Sequence, residues 1–417
     1  MDRFIINGKN KLSGEVAVSG AKNATLPVMA ATILAGGEFV LSNVPDLIDI
    51  RTMGNLLRIL GAKVEHQNGK LNIDSTNLNS WEAPYELVST MRASIYVLGP
   101  LLARFGKAKV SFPGGCAIGT RPVDLHLMAF EKMGAKITIE HGYIVAECER
   151  LHGADIHFKK VSVGATANSL MAAVLAEGET NLYNCAIEPE IQSFIDFLNE
   201  MGAQIKGNGT SHLIINGVRS LKAINTSMLS DRIEAGTFLI AGAITGSEIT
   251  VTNCVPNHLG EFFDKIKMTG CDFDIVGSRI TIRPNGAILP VNIKTAPFPE
   301  YPTDLQAQFM ALMSLAKGES IIEEGIFPDR FTHAAELNRL DANITVEGNM
   351  ARVRGVNKLS GAQVMATDLR ASAALVLAGL AAEGETDIAR IYHIDRGYED
   401  FEIKLQKLGA NIRRIKT

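Results

Sequence analysis

The sequence predicts an α/β protein of two domains, each holding three copies of one helix–strand–helix–strand unit. Two observations carry this. A buried-type helix, a glycine turn and an apolar strand recur six times, from "ATLPVMAATILAGGEFVLSNVP" near the start to "ASAALVLAGLAAEGETDIARIYHID" near the end. After each copy a second helix closes on a turn, "LGAKV", "MGAKI", "MGAQI", "TGCDF", "LDANI" or "LGANI", and these turns lie 68 to 73 residues apart. The length of 417 residues independently suits two domains rather than one.

The first helix of each unit is rich in Ala, Gly and Ser and apolar nearly all round, as a helix enclosed within a domain must be. The second is amphipathic, as in "QSFIDFLNEMGA", and often begins near a proline. Gly61, Gly134, Gly202, Gly270 and Gly409 are expected to end it in the left-handed conformation, with Asp341 as the exception that tolerates it less easily. Six units divide into domains of 22–229 and of 1–21 with 230–417. The leading segment "FIINGKNKLSGEVAVSG" is expected to return to the C-terminal half and close its sheet. A solenoid, the rival architecture, needs more units and a shorter, stricter period.

Composition limits the function classes. With 46% hydrophobic and 21% charged residues and a net charge of −4, the chain is an ordinary globular protein with no track for nucleic acid. "MDRFIINGKN" lacks the apolar core of a signal peptide, and the longest apolar run, "AALVLAGLAA", is about half of a bilayer span. Neither membrane nor obligate protein partner is expected. Five cysteines, scattered and without C-x-x-C spacing, argue against zinc and disulfides and for a reducing cytoplasm. Three of them (Cys148, Cys185 and Cys254) sit in strand patterns and read as small core hydrophobes.

Aligning the units brings out charges at or just before helix starts: Lys22 with Asn23, Arg92, Arg121, Asp231 with Arg232, Asp304, Asp368 with Arg370, and Arg396. Acids suit that end of a helix, but cations are mildly disfavoured there. Any one of them can pair with a neighbouring acid at the surface. The set points to an anion, phosphate or carboxylate, held by guanidinium groups and helix N-termini between the domains. Cys116, in "PGGCAIGTRPVDLH", has no apolar periodicity around it and lies five residues before Arg121, an environment in which a thiol titrates and reacts.

These residues resemble the UDP-N-acetylglucosamine enolpyruvyl transferases (1-carboxyvinyltransferases), within the enolpyruvyl transferase family. The likeness runs through "SGAKNATLP", "PGGCAIGTRPVDLH", "SVGATANSLMAA", "SDRIEAGTFLIAGA", "YPTDLQAQFMAL", "ATDLRASAALVLAGL" and "HIDRGYEDFEIKLQKLGA". The related 5-enolpyruvylshikimate-3-phosphate synthases lack the cysteine loop and carry a lysine-serine motif where this chain has "AKNA". They, and a nucleotide-sugar sensor on the same fold, are the alternative readings; a sensor would not need Cys116 and Asp304. "IFPDRF" departs from the family's acid-Asn-Arg pattern, and "LDANI" from its glycine turn.

The resemblance implies an inside-out α/β barrel in each domain, closing over two small-molecule substrates, phosphoenolpyruvate and UDP-N-acetylglucosamine. It implies transfer of the enolpyruvyl group to the 3′-hydroxyl with loss of phosphate, the first committed step of peptidoglycan synthesis in the bacterial cytoplasm. No cofactor and no metal are implied. By position, Lys22, Arg121 and Arg396 resemble the phosphoenolpyruvate clamp, with Arg330 and Arg370 as cationic neighbours and Asn23 touching both substrates. Arg92, Arg121, Pro122, Val123, Asp124, Leu125, Lys160, Ser162, Val163 and Gly164 resemble the uridine-nucleotide site. Asp304 and the backbone of Ile326 resemble the sugar contacts. Cys116 is the expected proton donor and the target of the epoxide fosfomycin. Asp304 is the expected base, and Asp368 the alternative.

Overall fold

The computed structural model describes residues 2–112 and 123–416. Cys116, Arg121 and Pro122 lie outside the described residues. The described residues form two compact units, 20–112 with 123–229 and 2–19 with 230–416. Each has its own apolar core.

One repeat shows how all six are built. Helix Lys22–Ala31 is buried along its length from Ala24 to Ala31. Strand Glu38–Ser42 follows, buried on alternate residues as a sheet with one solvated face requires. Helix Ile48–Ile59 then buries one stripe, including Ile50, Met53, Leu56 and Leu57. A hairpin, Lys63–Gln67 and Lys70–Asp74, completes three antiparallel strands, and a short strand lies parallel to Glu38–Ser42 at the edge. All six sheets are four-stranded with this one order, so the architecture is the inside-out α/β barrel: buried helices within, sheets outside. The single strand expected after each second helix is instead a hairpin in the first five repeats, joined in the first by the tight turn at Asn68 and Gly69.

The edge strands explain how each unit closes. Asn225–Ser227, which precedes the fourth repeat, lies beside Glu38–Ser42 of the first. Glu15–Ala17, which precedes the first repeat, lies beside Ile249–Thr252 of the fourth. Each strand therefore stays with the unit it is not leading into. The leading segment, expected to close one sheet, serves two. Its first strand, Arg3–Asn7, inserts antiparallel between Glu385–Ala389 and Asn411–Ile415 and takes the place of the hairpin strand that the last repeat lacks.

The turn residues behave as their chemistry requires. Gly61, Gly134, Gly202, Gly270 and Gly409 have φ between 93° and 108°, where a Cβ is strained, and Asp341 occupies the milder left-handed well at φ 65°. Gly99 is glycine for contact rather than for φ: a Cβ there would stand 2.4 Å from Asn168 Oδ1. Cys185, Cys254 and Cys271 are buried, and burial pushes the Cys185 and Cys254 thiols up to about 12, which leaves them protonated and unreactive.

A Cβ on Gly202 would have open space around it. Gly202→Ala is therefore expected to lower stability through backbone strain alone, by about 1–3 kcal/mol, and Asp341→Gly to be neutral or stabilising, both read by thermal denaturation.

Candidate active site

In the C-terminal unit the three buried helices begin at Arg232, Gln306 and Leu369, and their first turns meet through polar side chains. Asp304 lies in the turn Thr303–Leu305 that leads into the second of these helices. Its Oδ1 pairs with Arg330 Nη1 at 2.8 Å and its Oδ2 with Arg370 Nη2 at 2.7 Å. The two arginine side chains are 6% and 5% exposed, whereas Asp304 keeps 24%, so the carboxylate is the accessible member of the cluster. Burial alone would raise the Asp304 carboxyl, but the Arg370 and Arg330 guanidinium groups hold it well below the usual carboxylate range. Arg370 Nη1 also donates to Tyr398 Oη at 3.3 Å. The Tyr398 hydroxyl lies 2.8 Å from Thr237 Oγ1, and Gln308 Nε2 donates to both oxygens at 3.1 Å.

Asp368 is differently engaged. Its Oδ1 accepts the Arg370 and Ala371 amides at 2.8 and 3.0 Å, and its Oδ2 accepts the Thr332 and Thr367 hydroxyls at 3.3 Å. It is the cap of helix Leu369–Ala381. Burial would raise its carboxyl, but the capped amides and the neighbouring His333 and Arg330 lower it. Ile326 donates its N–H to Glu324 Oε1 at 2.9 Å, so a backbone contact from this residue to a ligand falls to its carbonyl. Arg396 differs from expectation: it ends the short helix Ile391–Arg396, and the next helix starts only at Phe401, because Gly397 and Asp400 turn the chain between them.

Two helix starts in the N-terminal unit have the opposite character. Helix Lys22–Ala31 has neither a side-chain cap nor an acid in its first turn, and Lys22 is its first residue, followed by Asn23. Lys22 Nζ lies 3.2 Å from Asp49 Oδ2, both largely buried. Arg92 likewise starts the helix Arg92–Val97 with no acid in its first turn. Ser162 caps helix Val163–Ala173 by accepting the Ala165 amide at 3.2 Å, placing Val163 and Gly164 in the first turn; Lys160, two residues before the cap, is exposed. Val123 precedes helix Asp124–Lys132, in which Asp124 is exposed and Leu125 buried. Electropositive helix starts without acids suit an anionic ligand.

Several site residues escape a sequence reading. Buried Asn168 accepts the Gly99 amide at 2.8 Å through Oδ1, which fixes its orientation, and its Nδ2 lies 2.9 Å from the Ile95 carbonyl and 3.0 Å from His126 Nδ1. His126 Nδ1 is therefore an acceptor, and the neutral ring carries its proton on Nε2, against Gly164. Burial, reinforced by Arg92, depresses the His126 imidazole to about 4. The signal for Asn168 and Gln308 was present, since an amide in an otherwise apolar buried helix calls for a partner. Nothing marks Tyr398 or Glu324 in the linear pattern.

Among the described residues no group of three or more His, Cys, Asp or Glu side chains is arranged to hold a metal, and no helix is long and apolar enough to cross a membrane.

Known proteins place this architecture. A sequence model of the EPSP synthase (3-phosphoshikimate 1-carboxyvinyltransferase) family matches residues 6–405, and the chain belongs to that family. Among its relatives is a protein of Desulfosudis oleivorans named UDP-N-acetylglucosamine 1-carboxyvinyltransferase, 53% identical over 415 residues and covering 100% of both chains. A protein of Chlorobaculum parvum with the same name is 55% identical, covering 99% of this chain and 98% of its own. The crystal structure of the enolpyruvyl transferase NikO from Streptomyces tendae superimposes with a TM-score of 0.91 at 27% identity, covering 100% of this chain and 99% of that one. EPSP synthase of Acinetobacter baumannii shares the fold, with a TM-score of 0.77 at 18% identity and full coverage of both chains.

A depressed histidine favours the folded state above its unfolded pKa of about 6.5, and that contribution is lost as pH falls toward about 4. His126→Gln is therefore expected to flatten the acid loss of stability in this window by up to about 1.4 kcal/mol per pH unit, measured by denaturation at pH 5 and 7.

Proposed function

We propose that this protein transfers the enolpyruvyl group of phosphoenolpyruvate to the 3′-hydroxyl of UDP-N-acetylglucosamine, releasing phosphate. The observation that carries the reading is the end-to-end match, 53% identical over 100% of both chains, to a relative bearing that activity's name. The site chemistry supports it. The reaction needs a proton on the methylene carbon of phosphoenolpyruvate, a base for the sugar hydroxyl, and cations for the phosphate as substrate and leaving group.

Asp304 is the base in this reading. Two guanidinium groups make it a weak base that stays ionised over a wide pH range. A weak base suffices, because the hydroxyl becomes acidic as its oxygen bonds to C2 of phosphoenolpyruvate. Asp368, buried and committed to capping helix Leu369–Ala381, is the less suitable candidate for that step, whereas Asp304 keeps an exposed edge although both its oxygens are paired. Asp368 remains the candidate to assist proton removal when the tetrahedral intermediate collapses. Cys116 delivers the proton to C3, so addition yields a ketal carrying phosphate and methyl on C2. Loss of phosphate and of one methyl proton then leaves the enol ether.

Lys22, Arg121, Arg330, Arg370 and Arg396 are assigned to the phosphate and carboxylate of phosphoenolpyruvate, and Asn23 to both substrates. Arg92, Arg121, Pro122, Val123, Asp124, Leu125, Lys160, Ser162, Val163 and Gly164 are assigned to the uridine nucleotide, and Ile326 to the sugar through its carbonyl. The N-terminal domain, 22–229, then carries the cysteine loop and the nucleotide site. The C-terminal domain, 1–21 with 230–417, carries the base. The place of the reaction is bacterial peptidoglycan precursor synthesis in the cytoplasm, upstream of cell shape and division.

Phosphate release from phosphoenolpyruvate in the presence of UDP-N-acetylglucosamine tests the assignment, and turnover of shikimate 3-phosphate instead would overturn it. Asp304→Asn is expected to lower kcat by roughly 10²–10⁴-fold. Cys116→Asp, which can donate a proton but is not alkylated like a thiol, should retain turnover and resist fosfomycin; full activity in Cys116→Ser would remove the acid role.

A further inference from the structure

The loop bearing Ile326 and the turn bearing Asp304 are held by one buried side chain. Glu324 ends strand Glu319–Glu324 and has no exposure to solvent. Its Oε1 accepts from the Thr295 hydroxyl at 2.6 Å, the Ile326 amide at 2.9 Å and the Phe327 amide at 3.0 Å. Its Oε2 accepts from the Thr303 hydroxyl at 3.0 Å. Thr295 Oγ1 in turn accepts the Gly325 amide at 3.0 Å, so three consecutive amides of the loop are fixed by two side chains. Thr303 Oγ1 accepts from Arg330 Nη1 at 2.8 Å, and the same nitrogen pairs with Asp304 Oδ1 at 2.8 Å. A continuous chain of bonds thus runs from Glu324 through Thr303 and Arg330 to the Asp304 carboxylate.

Neutral donors make all four bonds to Glu324. A carboxylate buried among neutral donors is a costly way to stabilise a fold, since every lost bond leaves a desolvated acceptor. What it does supply is geometry, because only a group that accepts at both oxygens can serve four donors from three directions. Glutamine at this position would turn an NH₂ toward at least one of them.

We propose that Glu324 is a positioning residue for the transfer reaction, setting the Ile326 backbone and, through Thr303 and Arg330, the orientation of Asp304 toward the acceptor sugar. The role rests on the proposed function and adds to it a residue that touches neither substrate nor reacting atoms.

Steady-state phosphate release by the full chain tests it, with phosphoenolpyruvate and UDP-N-acetylglucosamine varied in turn. Glu324→Gln should raise KM for the nucleotide sugar about tenfold and lower kcat by about tenfold or more, with KM for phosphoenolpyruvate within about twofold. Thr303→Val leaves Glu324 its hold on the loop but cuts the link to Arg330. It should lower kcat about tenfold with KM for the sugar little changed, and Thr303→Ser should restore kcat. Should Glu324→Gln fail to fold, the Thr303 pair decides alone. Variants that lose thermal stability but keep wild-type kcat and both KM values would overturn the role, as would a Thr303→Ser enzyme no better than Thr303→Val. A wild-type chain that releases no phosphate from this substrate pair would overturn the functional reading and the positioning role with it.

Discussion

The carboxylate of Asp304, held between Arg330 and Arg370, is the contact on which the rest of the C-terminal site depends. Two buried guanidinium groups are tolerable only if paired, and each has Asp304 as its charged partner at under 3 Å. The pairing joins three segments distant in sequence: the turn Thr303–Leu305, the loop after Glu324, and the first turn of helix Leu369–Ala381. It also orders the neutral groups behind it, since Arg370 reaches Tyr398, and Tyr398 meets Thr237 and Gln308. Loss of any member would leave a desolvated charge or hydroxyl, and so the site is built as one unit.

The repeat architecture explains why such groups collect where they do. A helix enclosed by its neighbours carries its charged side chains where it emerges, and its first turn is where unpaired amides already demand partners. Helices Arg232–Thr245 and Leu369–Ala381 therefore start on the aspartates Asp231 and Asp368, which cap them. Helix Lys22–Ala31 starts with a lysine and no cap instead. The same position thus makes a self-satisfied start in one unit and an electropositive one in the other. Within each unit a sequence-distant strand completes a sheet: Glu15–Ala17 and Asn225–Ser227 each cover an edge that would otherwise be bare.

Much of this was legible in the linear pattern, because glycine turns at a fixed period and small-residue helices are direct consequences of backbone strain and burial. The hairpins were harder to see. "KVEHQNGKLNID" alternates only weakly, and its strands have one solvated face with charged residues, so two strands read as one. Arg396 was misplaced because helical spacing does not register that Gly397 and Asp400 turn the chain before Phe401. Glu324 reads as an ordinary acid in "SIIEEG", and only the fold shows that it points inward to four donors. For Cys116 the glycine loop and the nearby Arg121 point to a reactive thiol, and its particular duty as proton donor comes from the sequence likeness.

The most direct measurement is a carbon-13 NMR titration of the Asp304 carboxyl in the ligand-free protein. With Arg330 and Arg370 in place, the signal should remain that of an ionised carboxylate to the lowest pH at which the fold persists, well below the ordinary aspartate value of about 3.9. Titration at or above that value would contradict the pairing and, with it, the arrangement of the site around Asp304.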